Sequence, residues 1–189
     1  MKNIRLLALA ATCIALSTAH AQSVEPAANP KMYAEFGYAS LGYKETDALG
    51  GTWKTSPSAL TGVFGYQAHP NIAVEALLGF GAGKDGVKLN GVGLPANVKL
   101  DSMFGVFVRP SIAIGESVEL FGRVGWVENK LKLSAFGDSV SLKNDSVAYG
   151  IGANFNLSKT SYLQFNWTSY YGKHDTKIEG FGLAYGLRF

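Results

Sequence analysis

From Gly180 to Phe189 the chain reads GFGLAYGLRF, with Phe181, Leu183, Tyr185, Leu187 and Phe189 on one beat and Gly180, Gly182, Ala184, Gly186 and Arg188 on the other. A period of two places these sets on opposite faces of a strand. A helix would scatter the bulky residues around its axis and lose about 1 kcal/mol at each glycine. The same beat governs Met32 to Thr46, Ser58 to Ala68, Ile72 to Gly83, Val98 to Ile114, Val118 to Ser134, Ser146 to Phe155 and Ser161 to Gly172, and the last strand spans Glu179 to Phe189. These lengths lie near the 9–11 or so residues that a tilted strand needs to cross a bilayer.

The two faces differ in a way that excludes a soluble sandwich. In the third strand Ile72, Val74, Ala76, Leu78 and Phe80 oppose Ala73, Glu75, Leu77, Gly79 and Gly81; in the seventh Leu163, Phe165, Trp167, Ser169 and Tyr171 oppose Gln164, Asn166, Thr168 and Tyr170. A sandwich would carry dense polar and charged residues opposite its greasy face. Here the opposite face is small and mostly uncharged, as befits the cramped interior of a closed barrel of about eight strands. The fourth strand is less regular, because Met103 and Phe107 share parity with Arg109 and Pro110 falls near its end.

Connection lengths alternate as well. HPN, GES and NLSKT are tight turns after the second, fourth and sixth strands, whereas the other connections are longer: Asp47 to Pro57, Lys84 to Asn97, Ala135 to Asp145 and Lys173 to Ile178. Short turns on one side and long loops on the other are the plan of outer-membrane barrels. The pattern predicts an all-β fold, an eight-stranded antiparallel transmembrane β-barrel wound as an up-and-down meander, with both ends on the short-turn side.

Residues 1–21 have the layout of a cleaved signal peptide: Lys2 and Arg5, then apolar Leu6 to Leu16, then Ala19 and Ala21. Residues 22–31 are expected to form a short periplasmic segment and 32–189 the barrel domain. The single cysteine, Cys13, lies inside the signal, and Thr12 before it does not suit a lipid anchor. Loss of Lys2 and Arg5 reduces the 17 basic residues to 15 against 14 acidic ones, which leaves no electrostatic footprint for nucleic acid.

The signal peptide, the eight alternating strands, the three short turns, the four longer loops and the closing run Phe181, Leu183, Tyr185, Leu187, Phe189 together resemble the OmpA/OmpX-like superfamily of small outer-membrane β-barrel proteins, including its opacity and Ail-type branches. The resemblance covers essentially the whole mature chain. It implies residence in the outer membrane of a Gram-negative bacterium, and it makes Tyr185, Leu187 and Phe189 the signal read by the outer-membrane assembly machinery. The family hosts adhesins, serum-resistance factors, structural proteins and minor pores, so fold alone does not choose among them.

Six charged residues of interior parity, Glu35, Glu75, Arg109, Glu119, Arg123 and Arg188, lie near the short-turn ends of their strands. They should form one layer across the lower lumen, with Glu75 beside Arg109, Arg109 beside Glu119 and Arg188 beside Glu35, and with Gln67, Asn154 and Gln164 around them. Buried charges persist when paired and hydrogen-bonded, so the layer reads as a plug. A narrow pore lined by the same charges is the alternative.

No catalytic, cofactor or metal site emerges. His69 sits in a turn, His174 sits in the loop KHDTK, and two distant histidines make neither a triad nor a zinc site. GFGAGK, Gly79 to Lys84, lacks the hydroxyl residue and helix that a phosphate loop requires. Lys84, Lys88, Lys130, Lys132, Lys143, Lys173 and Lys177 in the loops face the phosphates of lipopolysaccharide or serve solubility alone. Trp53, Trp126, Trp167, Tyr149, Tyr171 and Tyr185 suit interfacial girdles. The expected protein is a monomeric, non-enzymatic barrel in contact with outer-membrane lipid and lipopolysaccharide. Its four outer loops would serve a structural, surface-interaction or adhesion role toward a host or surface ligand.

Overall fold

The structure, a computed structural model, describes residues 31–47, 49–135, 138–173 and 176–189. The proposed signal peptide, most of the segment before the barrel, and His174 lie outside these residues. Nine strands follow one another: β1 (Met32–Thr46), β2 (Thr52–Thr55), β3 (Ser58–His69), β4 (Ile72–Leu89), β5 (Val92–Ile114), β6 (Val118–Ala135), β7 (Asp138–Asn156), β8 (Ser161–Lys173) and β9 (Thr176–Arg188). Each pairs antiparallel with its neighbours, and β9 returns to β1 from Tyr33↔Arg188 to Glu45↔Thr176. Two backbone bonds between Met32 and Phe189, at 3.0 and 2.9 Å, close the lower seam.

Nine strands fill eight positions around the ring. β2 and β3 both lie between β1 and β4, β3 over the lower part and β2 over the upper part. They are one position interrupted at Ser56–Pro57, because proline has no N–H for the ladder. The Pro57 carbonyl still accepts from Leu41 N–H at 2.9 Å, which carries the pairing across the break.

The upper connections correct the sequence reading. Lys84 to Asn97 is not a loop: β4 and β5 continue through it and reverse at Asn90–Gly91, where φ values of 49° and 88° define a tight primed turn. Ala135 to Asp145 is likewise almost all strand, since β6 ends at Ala135 and β7 begins at Asp138. β8 and β9 run to Lys173 and from Thr176, and the first loop holds β2. At the base of that loop Asp47 accepts from Gly51 N–H at 2.7 Å, from Leu49 N–H and from Trp53 Nε1, which holds its carboxyl below the usual carboxylate range. This anchoring is in place above that range and is lost as pH falls through the lowered value.

Parity sorts the side chains as the pleat requires. Phe181, Leu183, Tyr185 and Leu187 on β9 and Phe189 just after it are 45–63% exposed, and on β4 Ile72, Val74, Leu78 and Phe80 point outward in the same way. Met103, Phe107 and Arg109 all face inward, so the irregular strand has an ordinary register with large lumen residues. The β8 beat breaks at a bulge between Ser169 and Tyr171, where Ser169 and Tyr170 are both buried. Trp126, Tyr149 and Tyr185 are exposed, and Trp167 packs edge-on to Tyr149 at 6.0 Å. Trp53 and Tyr171 do not join a girdle; they are half-buried against the interior cluster.

Glycines make room for the rings inside. A Cβ on Gly65 would lie 2.0 Å from Tyr33 Cζ, and one on Gly186 would lie 2.1 Å from Tyr162 Cζ. Each ring covers the glycine directly opposite it on the neighbouring strand. Two tyrosine hydroxyls are thereby aimed at the barrel axis.

Candidate functional site

The lumen is filled in two layers. In the lower one, Arg109 Nη1 lies 3.1 Å from Glu35 Oε1 and 3.0 Å from Glu75 Oε1, and Nη2 lies 3.6 Å from Glu119 Oε1. Arg123 Nε approaches Glu75 Oε2 at 3.6 Å, an ion-pair distance rather than a hydrogen bond. Arg188 Nη2 reaches Glu119 Oε2 at 3.0 Å. Three carboxylates and three guanidiniums therefore form one connected network.

The pairing differs from the expected one at Arg188. Its register partner on β1 is Tyr33, two residues from Glu35, and its guanidinium turns to Glu119 and to Asn156 Oδ1 at 3.0 Å. Glu35 is instead held by Arg109, by the Tyr162 hydroxyl at 2.7 Å and by Gln164 Nε2 at 2.6 Å. Tyr33 donates to Glu75 at 2.8 Å, and Asn154 Nδ2 donates to Glu119 at 3.3 Å. The Arg109 guanidinium also stacks 3.9 Å from the Phe121 ring centroid.

Sequence reasoning missed Tyr33, Tyr162 and Phe121 as members of this layer. Their interior parity and the glycines opposite Tyr33 and Tyr162 were the available signals. Gln67 stays at the rim, where its amide donates to the carbonyls of His69 and Pro70.

The upper layer is mostly apolar: Leu41, Leu100, Met103, Leu131, Tyr170 and Ile178 converge with buried Pro57, and the buried amide Asn129 lies among them. One cavity between them and another just below, beside Arg123 and Leu77, each measure about 10 Å³, room for about one water. Below the charges the lumen opens into a vestibule of about 730 Å³ lined by Lys31, His69, Lys159 and Arg188 among others. It is closed at its upper end by the Arg109 network.

A second arrangement lies on the outer wall above the apolar belt. Lys177 stands opposite Lys44, Lys44 opposite Lys54, and Lys54 opposite Lys88, one lysine on each of β9, β1, β2 and β4. Lys84, Lys99 and Lys132 repeat the pattern across β4, β5 and β6. Like charges directly opposite each other on a sheet are destabilising. Among the described residues none of these seven makes an ion pair, whereas Lys130 meets Asp101 and Lys143 meets Glu128. Lys44, Lys54 and Lys99 escaped the sequence reading, since they line up with the others only once the register is known.

A closed antiparallel ring with apolar residues outside, at bilayer-spanning length, and a paired charge layer inside is a transmembrane β-barrel. The chain belongs to the outer membrane protein beta-barrel domain family, whose model matches residues 7–189. Over 87 residues it is 34% identical to the attachment invasion locus protein of Yersinia enterocolitica, and the match spans 46% of this chain and about half, 48%, of that relative. The fold is similar to that of Ail from Yersinia pestis (23% identity, TM-score 0.59, 86% of this chain and 100% of that one). It is also similar to neisserial surface protein A (11% identity, TM-score 0.64, 84% and 97%). Small barrels of this family reside in the outer membrane of Gram-negative bacteria.

Proposed function

We propose that this protein is a non-enzymatic, sealed outer-membrane barrel, exported through a cleaved signal peptide, that works at the cell surface. Its basic outer wall binds lipopolysaccharide, its outer hairpins meet other surface or host molecules, and the row Tyr185, Leu187, Phe189 is read by the assembly machinery. The observation that carries the reading is the ladder Lys177, Lys44, Lys54, Lys88, four adjacent cations without acidic partners among the described residues, at the upper edge of the apolar belt. Such a row is relieved by anions, and the phosphates nearest the outer leaflet belong to lipopolysaccharide. Lys44 and Lys54 also border a groove of about 380 Å³ floored by Trp167 and Phe181, with Glu179 beside them, a shape that suits an anionic head above an acyl tail. One fold relative, Ail of Yersinia pestis, has been crystallised with the heparin analogue sucrose octasulfate.

The triple variant Lys44→Glu, Lys54→Glu, Lys88→Glu, refolded in phospholipid nanodiscs, should bind purified lipopolysaccharide at least about a hundredfold more weakly, at about 1 kcal/mol per lysine. Binding by the unaltered chain should weaken with added salt. Equal binding by both proteins would overturn the basic-wall reading. In planar bilayers the unaltered barrel should give no steady current, because the cavities above the vestibule hold about one water each. Sustained nanosiemens openings would replace the sealed barrel with a porin.

A further inference from the structure

The vestibule below the charge layer opens at the short-turn end of the barrel, beside the seam between Met32 and Phe189, which is the periplasmic side of an outer-membrane barrel. Its volume of about 730 Å³ lies within the range of small-molecule sites. The layer above it balances its own charge, three carboxylates against three guanidiniums. Glu119 is the only acidic side chain among the described residues that line the vestibule, and Arg109, Arg188 and Asn154 already hold it. Lys31 and Lys159 line the same space, and neither makes an ion pair among the described residues. The vestibule therefore carries two uncompensated positive charges.

Both lysines project from fixed backbone. The Lys31 carbonyl accepts from Gln67 N–H at 2.6 Å. Lys159 sits in the turn between β7 and β8, where Ser158 Oγ accepts from the N–H groups of Thr160 and Ser161 at 3.2 and 3.0 Å, and where Arg188 N–H donates to the Thr160 carbonyl at 2.8 Å. The wall around them is a barrel set in lipid, and a cleft of one charge sign with walls of low dielectric concentrates counter-ions.

The roof contributes two polar atoms that lack a protein partner. Asn154 is 1% exposed, and because its Nδ2 donates to Glu119 its Oδ1 is left without a donor; Arg109 Nε is likewise left without an acceptor. Both residues line the vestibule. Buried polar groups are almost always paired, so the roof calls for a hydroxyl as well as for an oxygen acceptor.

We infer that the vestibule binds a phosphate monoester with a small hydroxylated body, which enters from the periplasm, places its phosphate between Lys31 and Lys159 and turns its hydroxyls toward Asn154. Lysine serves phosphate as a point charge, and a phosphate monoester carries about −1.5 to −2 at neutral pH, which matches the two free lysines. The planar fork that would suit a carboxylate is taken, since Arg188 spends it on Asn156 and Glu119. The inference goes beyond the outer-wall reading and shares no residue with it.

The test is calorimetric titration of the full mature chain in phosphatidylcholine nanodiscs, with glucose 6-phosphate, inorganic phosphate and glucose as probes. Glucose 6-phosphate should bind at least about tenfold more tightly than inorganic phosphate, because only its body satisfies the roof, and glucose should give no heat. The variant Lys31→Gln, Lys159→Gln, at two exposed positions, should weaken glucose 6-phosphate at least about tenfold. The outer-wall variant Lys44→Glu, Lys54→Glu, Lys88→Glu should bind it as the unaltered chain does. Phosphatidic acid in the discs should not compete, because the vestibule lies inside the ring of strands. No heat with glucose 6-phosphate, equal affinity for inorganic phosphate, or unchanged binding by the Lys31, Lys159 variant would overturn the proposal. Loss of binding in the outer-wall variant, or competition by phosphatidic acid, would move the phosphate to the outer wall or to lipid headgroups and overturn it as well. Failure of the outer wall to bind lipopolysaccharide would leave it standing, so the two failures are distinguishable.

Discussion

Arg109→Ala should lower the unfolding free energy of the membrane-embedded barrel by about 3–5 kcal/mol, the cost of stranding a buried charge after its partner is removed. Arg109 is 2% exposed and lies within 3.6 Å of three carboxylates, while Glu35 and Glu75 are 5% and 1% exposed. Without the guanidinium, Glu35 keeps only Tyr162 and Gln164, and Glu75 keeps Tyr33 and a distant Arg123. Arg109→Lys should recover part of the loss, because an ammonium supplies the charge but not the planar fork that serves several acceptors at once. Adding Glu35→Gln and Glu75→Gln to Arg109→Ala should recover more. Urea midpoints of tryptophan fluorescence in lipid vesicles would measure the series. If Arg109→Ala were as stable as the unaltered protein, the network would be ornamental.

Leu100→Ala should cost about 2–5 kcal/mol, the range for truncating a fully buried leucine. Leu100 is 1% exposed and meets Leu41, Met103, Leu131 and Ile178 around a cavity that leaves room for one water at most. Stability should fall in the same urea assay, while bilayers carrying the variant stay silent because the Arg109 network still closes the lumen below. An equally stable variant would mean that Leu100 does not hold the upper layer together, and a conducting one that the charge network below does not close the lumen.

The strand beat on β4 and β9 and the closure of the ring were legible because a period of two acts on each strand separately. The outer end was harder to read. Gly, Asn and Pro between Lys84 and Asn97 look like a loop, yet Val87 lines the interior there, Leu94 and Ala96 pack against the same cluster, and Asn90–Gly91 is a hairpin signal in its own right. The residues of the charge layer stood out by parity, but their partners did not. Neighbouring strands suggested Arg188 with Glu35, whereas the stagger of the closed barrel sets Arg188 opposite Tyr33 and leaves Glu119 as its counterion. Contacts across a lumen depend on the stagger of all eight positions, which no single strand encodes. The lysine ladder has the same origin: it is a relation between strands, visible only in the pairing.

The apolar face of β9 offers the sharpest measurement. The only cysteine, Cys13, lies in the proposed signal, so single cysteines can be placed at the outward positions 181, 183, 185 and 187 in an otherwise thiol-free mature chain and spin-labelled in bilayers. Lipid-soluble oxygen should reach all four positions, while a water-soluble nickel chelate reaches none of them. Access of the chelate to the odd positions would place water or protein where lipid is required, and the barrel described above would not stand.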